Sequence, residues 1–301
     1  SNVRKPDKTV SAEIEHAPMI VLRTAAELRA ATAPYREEGA IIGLVPTMGS
    51  LHAGHLTLVN RARRDCRLVI ASLFVNPTQF GEGEDFSSYP RDEAQDLALF
   101  EKHGVDIVYA PGVDEMYPDG FEITVTVDGV TEGMCGAARP GHFDGVTTVV
   151  SKLFEHCQPY VAYFGEKDYQ QLKVIEKMTE QLGLGIRIIG VPIVRAATGL
   201  ALSSRNNYLT EAQVSVAARL FGTLSAVADR LHPDIDIAAQ CEWGRRALLE
   251  SGFDRVDYFD IRDAATLAPA ESYRPGLRVF AAAWIGKTRL IDNVPADAPG
   301  A

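Results

Sequence analysis

The sequence predicts an α/β protein, with a parallel sheet covered on both faces by helices and a smaller α+β unit after it. Three observations carry this expectation. Short continuous apolar runs, such as residues 41–45 and 68–75, read as strands buried on both faces. Helix-length amphipathic stretches separate those runs. After about Arg205 the order changes to two helices and then three strands with no helix between them. The 301 residues are 46% hydrophobic and 23% charged, which suits one large domain plus a small one and excludes a disordered or fibrous chain.

Taken in order, residues 19–22 form a short edge strand. Thr24 and Glu27 have capping-box spacing, so a helix runs from there to Gly39, a natural stop. Strands follow at 41–45, 68–75, 106–110, 161–164 and 186–191. Helices are expected at 56–64, 92–103, 143–156 and 168–182. In the last third, 210–231 and 235–250 read as helices. Residues 255–261, 277–285 and 288–291 read as strands, the last two as a hairpin. These elements divide the chain into a flexible tail (1–17), a large domain (18–193) and a small domain (194–301). Ligands of such sheets bind at the carboxyl ends of the strands, so the loops after Val45, Val75, Phe164 and Val194 are where chemistry is expected.

The formal net charge of −10 repels phosphate backbones, which excludes general nucleic-acid binding but not a small anion in a local positive pocket. Cys66, Cys135, Cys157 and Cys241 form no C-x-x-C pair and no zinc spacing, and read as reduced thiols. No apolar run reaches the length of a membrane span, and the polar residues 1–17 lack the apolar centre of a signal peptide. Together these features predict a cytoplasmic protein without membrane partners.

Four segments carry chemistry. The first is Pro46-Thr47-Met48-Gly49-Ser50-Leu51-His52-Ala53-Gly54-His55, where a strand ends and a helix begins. A helix start offers free N–H groups to phosphate, and two imidazoles three residues apart face the same way. They would hydrogen-bond phosphate oxygens and stabilise a departing pyrophosphate. The plainer reading is a pair of satisfied histidines at a helix start. The second is Gly165-Glu166-Lys167-Asp168 with Gln170 and Gln171 beyond it. Lys167 would hold phosphate, and Asp168 would accept from ribose hydroxyls or simply cap a helix. The third is Leu202-Ser203-Ser204-Arg205-Asn206, two hydroxyls beside a guanidinium, an arrangement that suits an anion. The fourth holds Asn76 and Gln79, ahead of a Gly-rich acidic stretch at 81–90 that reads as a lid or an ordinary loop. Gln79 and Gln171 can bind a carboxylate without the full charge that would blunt its nucleophilicity. Asp96 would orient Mg²⁺ or its waters, or lie on a solvated helix face. No GxxxxGK[ST] loop and no G-x-S-x-G elbow is present, so neither a P-loop kinase nor an α/β-hydrolase is supported.

At these residues the chain resembles the pantothenate synthetase (pantoate–β-alanine ligase) family over nearly its whole length. The segments that carry the resemblance are residues 45–55, 74–80, 89–91, 139–146, 164–171 and 203–206. H-x-G-H marks a wider nucleotidyltransferase superfamily, whereas the others in this order are more specific. The resemblance implies a homodimer of protomers with a Rossmann-like ATP domain and a small C-terminal lid. It implies ATP, Mg²⁺, (R)-pantoate and β-alanine as ligands. It implies that residues 46–55, Gly165, Glu166, Lys167, Asp168, Val194, Leu202, Ser203, Ser204 and Arg205 line ATP, with His55 as proton donor. Gln79 and Gln171 would hold pantoate, with Arg139 close by. The sequence departs from the family at Ala53, at Ala196 and Thr198 (where acids are usual) and at Leu202, so the 195–201 loop is expected to be anchored differently.

The implied reaction has two steps. The pantoate carboxylate attacks the α-phosphate of ATP, and β-alanine then displaces AMP from the acyl-adenylate. His52, His55, Lys167 and Arg205 would supply the charge stabilisation. Three rivals remain: a nucleotidyltransferase for a phosphorylated acceptor, a class I aminoacyl-tRNA synthetase fragment, and a non-catalytic ATP sensor.

Overall fold

The computed structural model describes residues 17–122 and 124–297. The expected tail, apart from Ala17, lies outside them. In the first part, elements run β1 (Ile20–Leu22), α1 (Ala25–Glu37), β2 (Ile42–Thr47), α2 (Ala53–Asp65), β3 (Leu68–Leu73), α3 (Glu93–Lys102) and β4 (Ile107–Tyr109). They continue with α4 (Val113–Met116), α5 (Met134–Ala138), α6 (His142–Cys157), β5 (Val161–Gly165), α7 (Tyr169–Gln181) and β6 (Arg187–Val191). All six strands are parallel, in the order β1-β4-β3-β2-β5-β6.

The continuous apolar runs have the cause the sequence suggested. Leu44, Ile70, Ala162 and Phe164 point to one face, under α1, α6 and α7. Their neighbours Val45, Val69, Ala71 and Tyr163 point to the other, under α2 and α3. Both sets leave water, so the strand positions are apolar nearly throughout, with Ser72 and Thr47 the buried polar exceptions. α1 starts at Thr24, whose hydroxyl oxygen accepts from the Glu27 N–H (3.1 Å). Only half of the expected capping box forms, because the Glu27 carboxylate takes the Thr24 hydroxyl proton instead (2.8 Å).

The second part has α8 (Glu211–Ala217), α9 (Arg219–Arg230), α10 (Ile237–Glu250) and the antiparallel sheet β7 (Arg255–Asp263), β8 (Leu277–Ile285) and β9 (Thr288–Pro295). The single helix expected over 210–231 is two, parted at Ala218. Ala218 keeps right-handed helical angles, so no breaker residue announces the corner. One face of the small sheet buries Val279, Ala281 and Ala283 under these helices. Its other face places Phe280 and Ile291 against the core of the first part.

The strand order reverses at β2, whose two neighbours are β3 and β5. That is a topological switch point, where the loops after two strands diverge and leave a crevice. The register shows how it opens. β2 pairs with β3 along its full length to Thr47↔Leu73, but with β5 only at Gly43↔Val161 and Leu44↔Ala162. Pro46 has no N–H with which to resume the ladder.

Helix α6 closes one side of the crevice at unusually short range. A Cβ on Gly145 would lie 2.5 Å from the Thr78 carbonyl oxygen and 2.7 Å from the Gln79 nitrogen. Both are backbone atoms of a short 3₁₀ turn, Pro77–Gln79, and cannot rotate away. Gly145→Ala should therefore cost about 1–3 kcal/mol, the usual range for overpacking, read by chemical or thermal denaturation. A loss under about 0.5 kcal/mol, the level of an ordinary surface change, would mean that the turn is free to move.

Candidate active site

The crevice at the switch point is a cleft of about 240 Å³. The loops after β2, β3, β5 and β6 all reach it, as does residue stretch 202–205 from the start of the second part.

The first loop is held from two directions. Gly49 (φ 80°) and Ser50 (φ 51°) turn the chain through left-handed angles. A Cβ on Gly49 would lie 2.7 Å from the Asp96 carboxylate, so glycine makes room for that group. Asp96 is 3% exposed and accepts from the N–H groups of Ser50 (2.9 Å) and Leu51 (3.0 Å). Asp96 therefore does not lie on a solvated helix face, one of its two expected readings, and both its oxygens anchor the loop through backbone N–H groups. Ser204 donates its hydroxyl to the Ser50 carbonyl (2.9 Å), tying the loop to the second part of the chain.

His52 and His55 begin α2 as a reciprocal cap. Nδ1 of His52 accepts from the Gly54 N–H (3.0 Å), and Nδ1 of His55 accepts from the His52 N–H (3.2 Å). The absent side chain of Gly54 leaves space for the His52 ring, whose Cε1 would be 2.6 Å from a Cβ there. Since both Nδ1 atoms accept, the ring protons sit on Nε2, and both rings border the cleft. Desolvation, then Lys167, lowers the His52 pKa to about 4. Desolvation, then the neighbouring His52, lowers that of His55 to about 3. At neutral pH these are uncharged N–H donors.

The second loop presents Gln79. Asn76 is 1% exposed, and its groups are fully engaged. Its amide donates to the Gly145 carbonyl (3.1 Å) and to Gln79 Oε1 (3.1 Å), while its oxygen accepts from Tyr117 (2.7 Å) and Thr78 (2.9 Å). Asn76 therefore orients Gln79, and it also lines the cleft. With Oε1 accepting, Gln79 is left with Nε2 as a donor. Gln171, on α7, also lines the cleft. Val146, Val149, Val150 and Leu153 recur at helical spacing on α6 and supply an apolar wall.

The third loop forms a 3₁₀ turn, Glu166–Asp168. Lys167 borders the cleft and has no ion-pair partner among the described residues. Against desolvation, Lys167 and then Arg205 hold the Asp168 carboxyl below its usual range. Glu166 faces Arg278 (3.7 Å) and does not line the cleft.

The two arginines are already paired. Arg205 grips Asp85 through Nε (3.0 Å) and Nη2 (3.1 Å). Arg139 grips Glu84 through Nε (2.7 Å) and Nη2 (2.9 Å). The acidic 81–90 stretch is thereby fastened, through two adjacent carboxylates, to two arginines that line the cleft. Opposing desolvation, the Arg139 guanidinium and the Gly81 N–H hold the Glu84 carboxyl down at about 2.

Of the expected ligand-binding residues, Pro46, Thr47, Met48, Gly54, Val194, Leu202, Ser203 and Gly165 line the cleft beside those already placed. Gly49, Ser50, Leu51, Ala53 and Glu166 do not. Ala196 and Thr198 are exposed. Their loop is anchored instead by Arg195, which grips Asp292 (2.6 and 2.9 Å) and the Gly199 carbonyl (3.0 Å). Sequence reasoning gave no role to His142 or Tyr89, which both line the cleft. His142 Nδ1 donates to the Gln79 carbonyl (2.9 Å). The segments carrying these two residues were visible as part of the resemblance, so a signal existed.

The model of the pantoate-beta-alanine ligase family matches residues 20–295. A pantothenate synthetase from Paramagnetospirillum magneticum is 52% identical over 274 residues, covering 91% of this chain and 96% of that one. One from Azotobacter vinelandii is 51% identical over 282 residues, covering 93% and 99%. The crystal structure of pantothenate synthetase from Thermus thermophilus superposes with a TM-score of 0.82 at 45% identity, covering 93% of this chain and 100% of that one. The pantoate-beta-alanine ligase from Francisella tularensis, complexed with beta-gamma ATP and beta-alanine, gives 0.80 at 32% identity, covering 94% and 100%.

The histidine geometry predicts a pH response. An unfolded imidazole binds its proton near 6.5, the folded ones only near 4 and 3. Between those values the unfolded chain holds more protons, so stability should fall as pH drops from about 6.5 towards 3. Nitrogen-15 NMR should show both rings as neutral Nε2–H tautomers at about pH 5, between the folded and unfolded values. A signal from a doubly protonated ring at that pH would refute the assignment.

Proposed function

This chain belongs to the pantoate-beta-alanine ligase family, and we propose from that premise how its residues divide the work. It is an ATP-dependent ligase that joins pantoate to β-alanine. The observation that carries the residue assignment is the convergence, in one switch-point cleft, of uncharged imidazole donors, one unpaired ammonium and two side-chain amides.

ATP lies along the loop after β2, with its phosphates towards His52, His55 and Lys167. Asp168 faces the ribose hydroxyls. Pantoate sits between Gln79 and the valine wall of α6, which suits its branched carbon chain. The Gln79 and Gln171 amides hold its carboxylate by neutral hydrogen bonds, so the oxygen keeps its nucleophilic electron density. That oxygen attacks the α-phosphorus, and the bond to the pyrophosphate oxygen breaks. A carboxylate needs no general base, so the residues act by placement and by donors aimed at developing charge. The amine of β-alanine then attacks the acyl carbon, and AMP leaves with the bonding electrons.

Arg139 and Arg205 reach the anionic substrates only by exchanging Glu84 and Asp85 for them. The 81–90 stretch is in this reading a lid held by the same cations that the substrates need. The described residues contain no group of three or more His, Cys, Asp or Glu able to hold a metal. Asp96 is occupied by backbone, so Mg²⁺ would be carried by the ATP phosphates and not by a protein site. No step above depends on protein ligands to it. We also extend the family reading to a cytoplasmic homodimer in which residues 194–301 form the lid domain. The described helices include none long and apolar enough to cross a membrane.

ATP–pyrophosphate exchange with (R)-pantoate present and β-alanine absent should be pantoate-dependent. Absence of exchange with ATP binding intact would favour the non-catalytic sensor. His55→Ala should lower the exchange rate by about 10²–10³, the cost of one lost charge-stabilising donor. Gln79→Ala should raise the pantoate KM and leave ATP affinity in place. The reverse pattern would show the two subsites to be misassigned.

A further inference from the structure

The 3₁₀ turn that carries Lys167 and Asp168 receives no side-chain cap of its own. Nor does the start of α7 directly after it. Its fixed point comes from the other part of the chain. Asn293, on β9, is 2% exposed, and its Nδ2 donates to the carbonyls of both Glu166 and Lys167 (3.0 Å each). Its Oδ1 accepts from Nε of Arg278 (2.6 Å), which fixes which end of the amide faces the turn. Its own carbonyl accepts from Arg195 (3.2 Å), the residue that also anchors the 195–201 loop through Asp292.

We propose that Asn293 is a positioning residue for catalysis, its amide setting where the Lys167 ammonium and the Asp168 carboxylate stand in the cleft. The inference rests on the ligase reading above. Its physical basis is the pair of bonds to consecutive carbonyls. One bond would let the turn pivot about a single atom, whereas two on adjacent peptides fix its orientation. Lys167 borders the cleft and also a second chamber of about 410 Å³ on the β8–β9 side. A small rotation of the turn would carry its flexible side chain from one to the other. The third element of the small sheet thus belongs to the catalytic apparatus although it supplies no group that touches substrate. The residue type matters. An aspartate of the same shape keeps the bond from Arg278 but turns an acceptor towards two acceptors.

The test is a double-substitution cycle on the full-length protein, read by pantoate-dependent ATP–pyrophosphate exchange. Asn293→Asp should lower the exchange rate and raise the ATP KM, by up to about a hundredfold in combination, as misplacement of about 1 Å can do. The pantoate KM should stay near that of the parent. In a Lys167→Ala background the same substitution should cost less, because one of the two groups it positions is gone. If Asn293→Asp does not fold, Asn293→Ser, with one short donor, is read in the same way. Full activity of either folded variant would overturn the inference and leave the ligase reading standing. So would costs that multiply independently of Lys167. A parent protein without any exchange would overturn both.

Discussion

β2 leaves β5 after Leu44, and everything chemical in this protein stands in the gap that follows. Pro46 cannot donate to a neighbouring strand, so the gap does not close by continued pairing. The loop after β2 must then be held by other means. Asp96 does this with two bonds from α3, and Ser204 does it with one from the second part of the chain. The left-handed turn at Gly49 and Ser50 depends on the same carboxylate, which fills the volume that a side chain at Gly49 would need. A crevice made by topology is therefore kept rigid by a few buried polar contacts.

The charge arrangement follows from that rigidity. A helix start lined by two imidazolium ions would oppose the helix dipole and repel Lys167. The reciprocal cap removes the conflict, because each Nδ1 lone pair is used by a backbone N–H and each ring stays neutral. Lys167 is left as the unpaired cation of the cleft wall among the described residues. Arg139 and Arg205 are neutralised by Glu84 and Asp85, so neither adds an unpaired positive charge to the cleft wall. Strong charge is available to a substrate but is already committed in its absence.

The two parts of the chain are fastened by polar groups at the site itself. Ser204 meets Ser50, Asn293 meets the Lys167 turn, and Asp85 meets Arg205 and Tyr208. Apolar contact joins them as well, with Leu267, Phe280, Tyr258, Ala264 and Ile291 on the core of the first part. Movement of one part against the other would break bonds that orient groups lining the cleft. Domain position and site geometry are coupled for that reason.

The sequence by itself determined the fold class, the strand positions and the loops that line the cleft. Buried parallel strands are apolar nearly throughout, and 41–45, 68–75 and 161–164 state this locally. Glycines at 49 and 54 and the paired histidines likewise speak through nearest neighbours. What a side chain does once placed was not legible in the same way. Asp96, Asn76, Ser204 and Arg205 read as ligand groups because their chemistry permits it, and each meets a partner distant in sequence. Asp96 is 46 residues from Ser50, Ser204 is 154 from the same residue, and Arg205 is 120 from Asp85. The corner at Ala218 was hidden because ordinary helical angles produce it. Composition and spacing encode what a residue can bond to within a turn or two of itself. Which long-range partner reaches it first, and so whether it is left for a substrate, is decided only when the chain is folded.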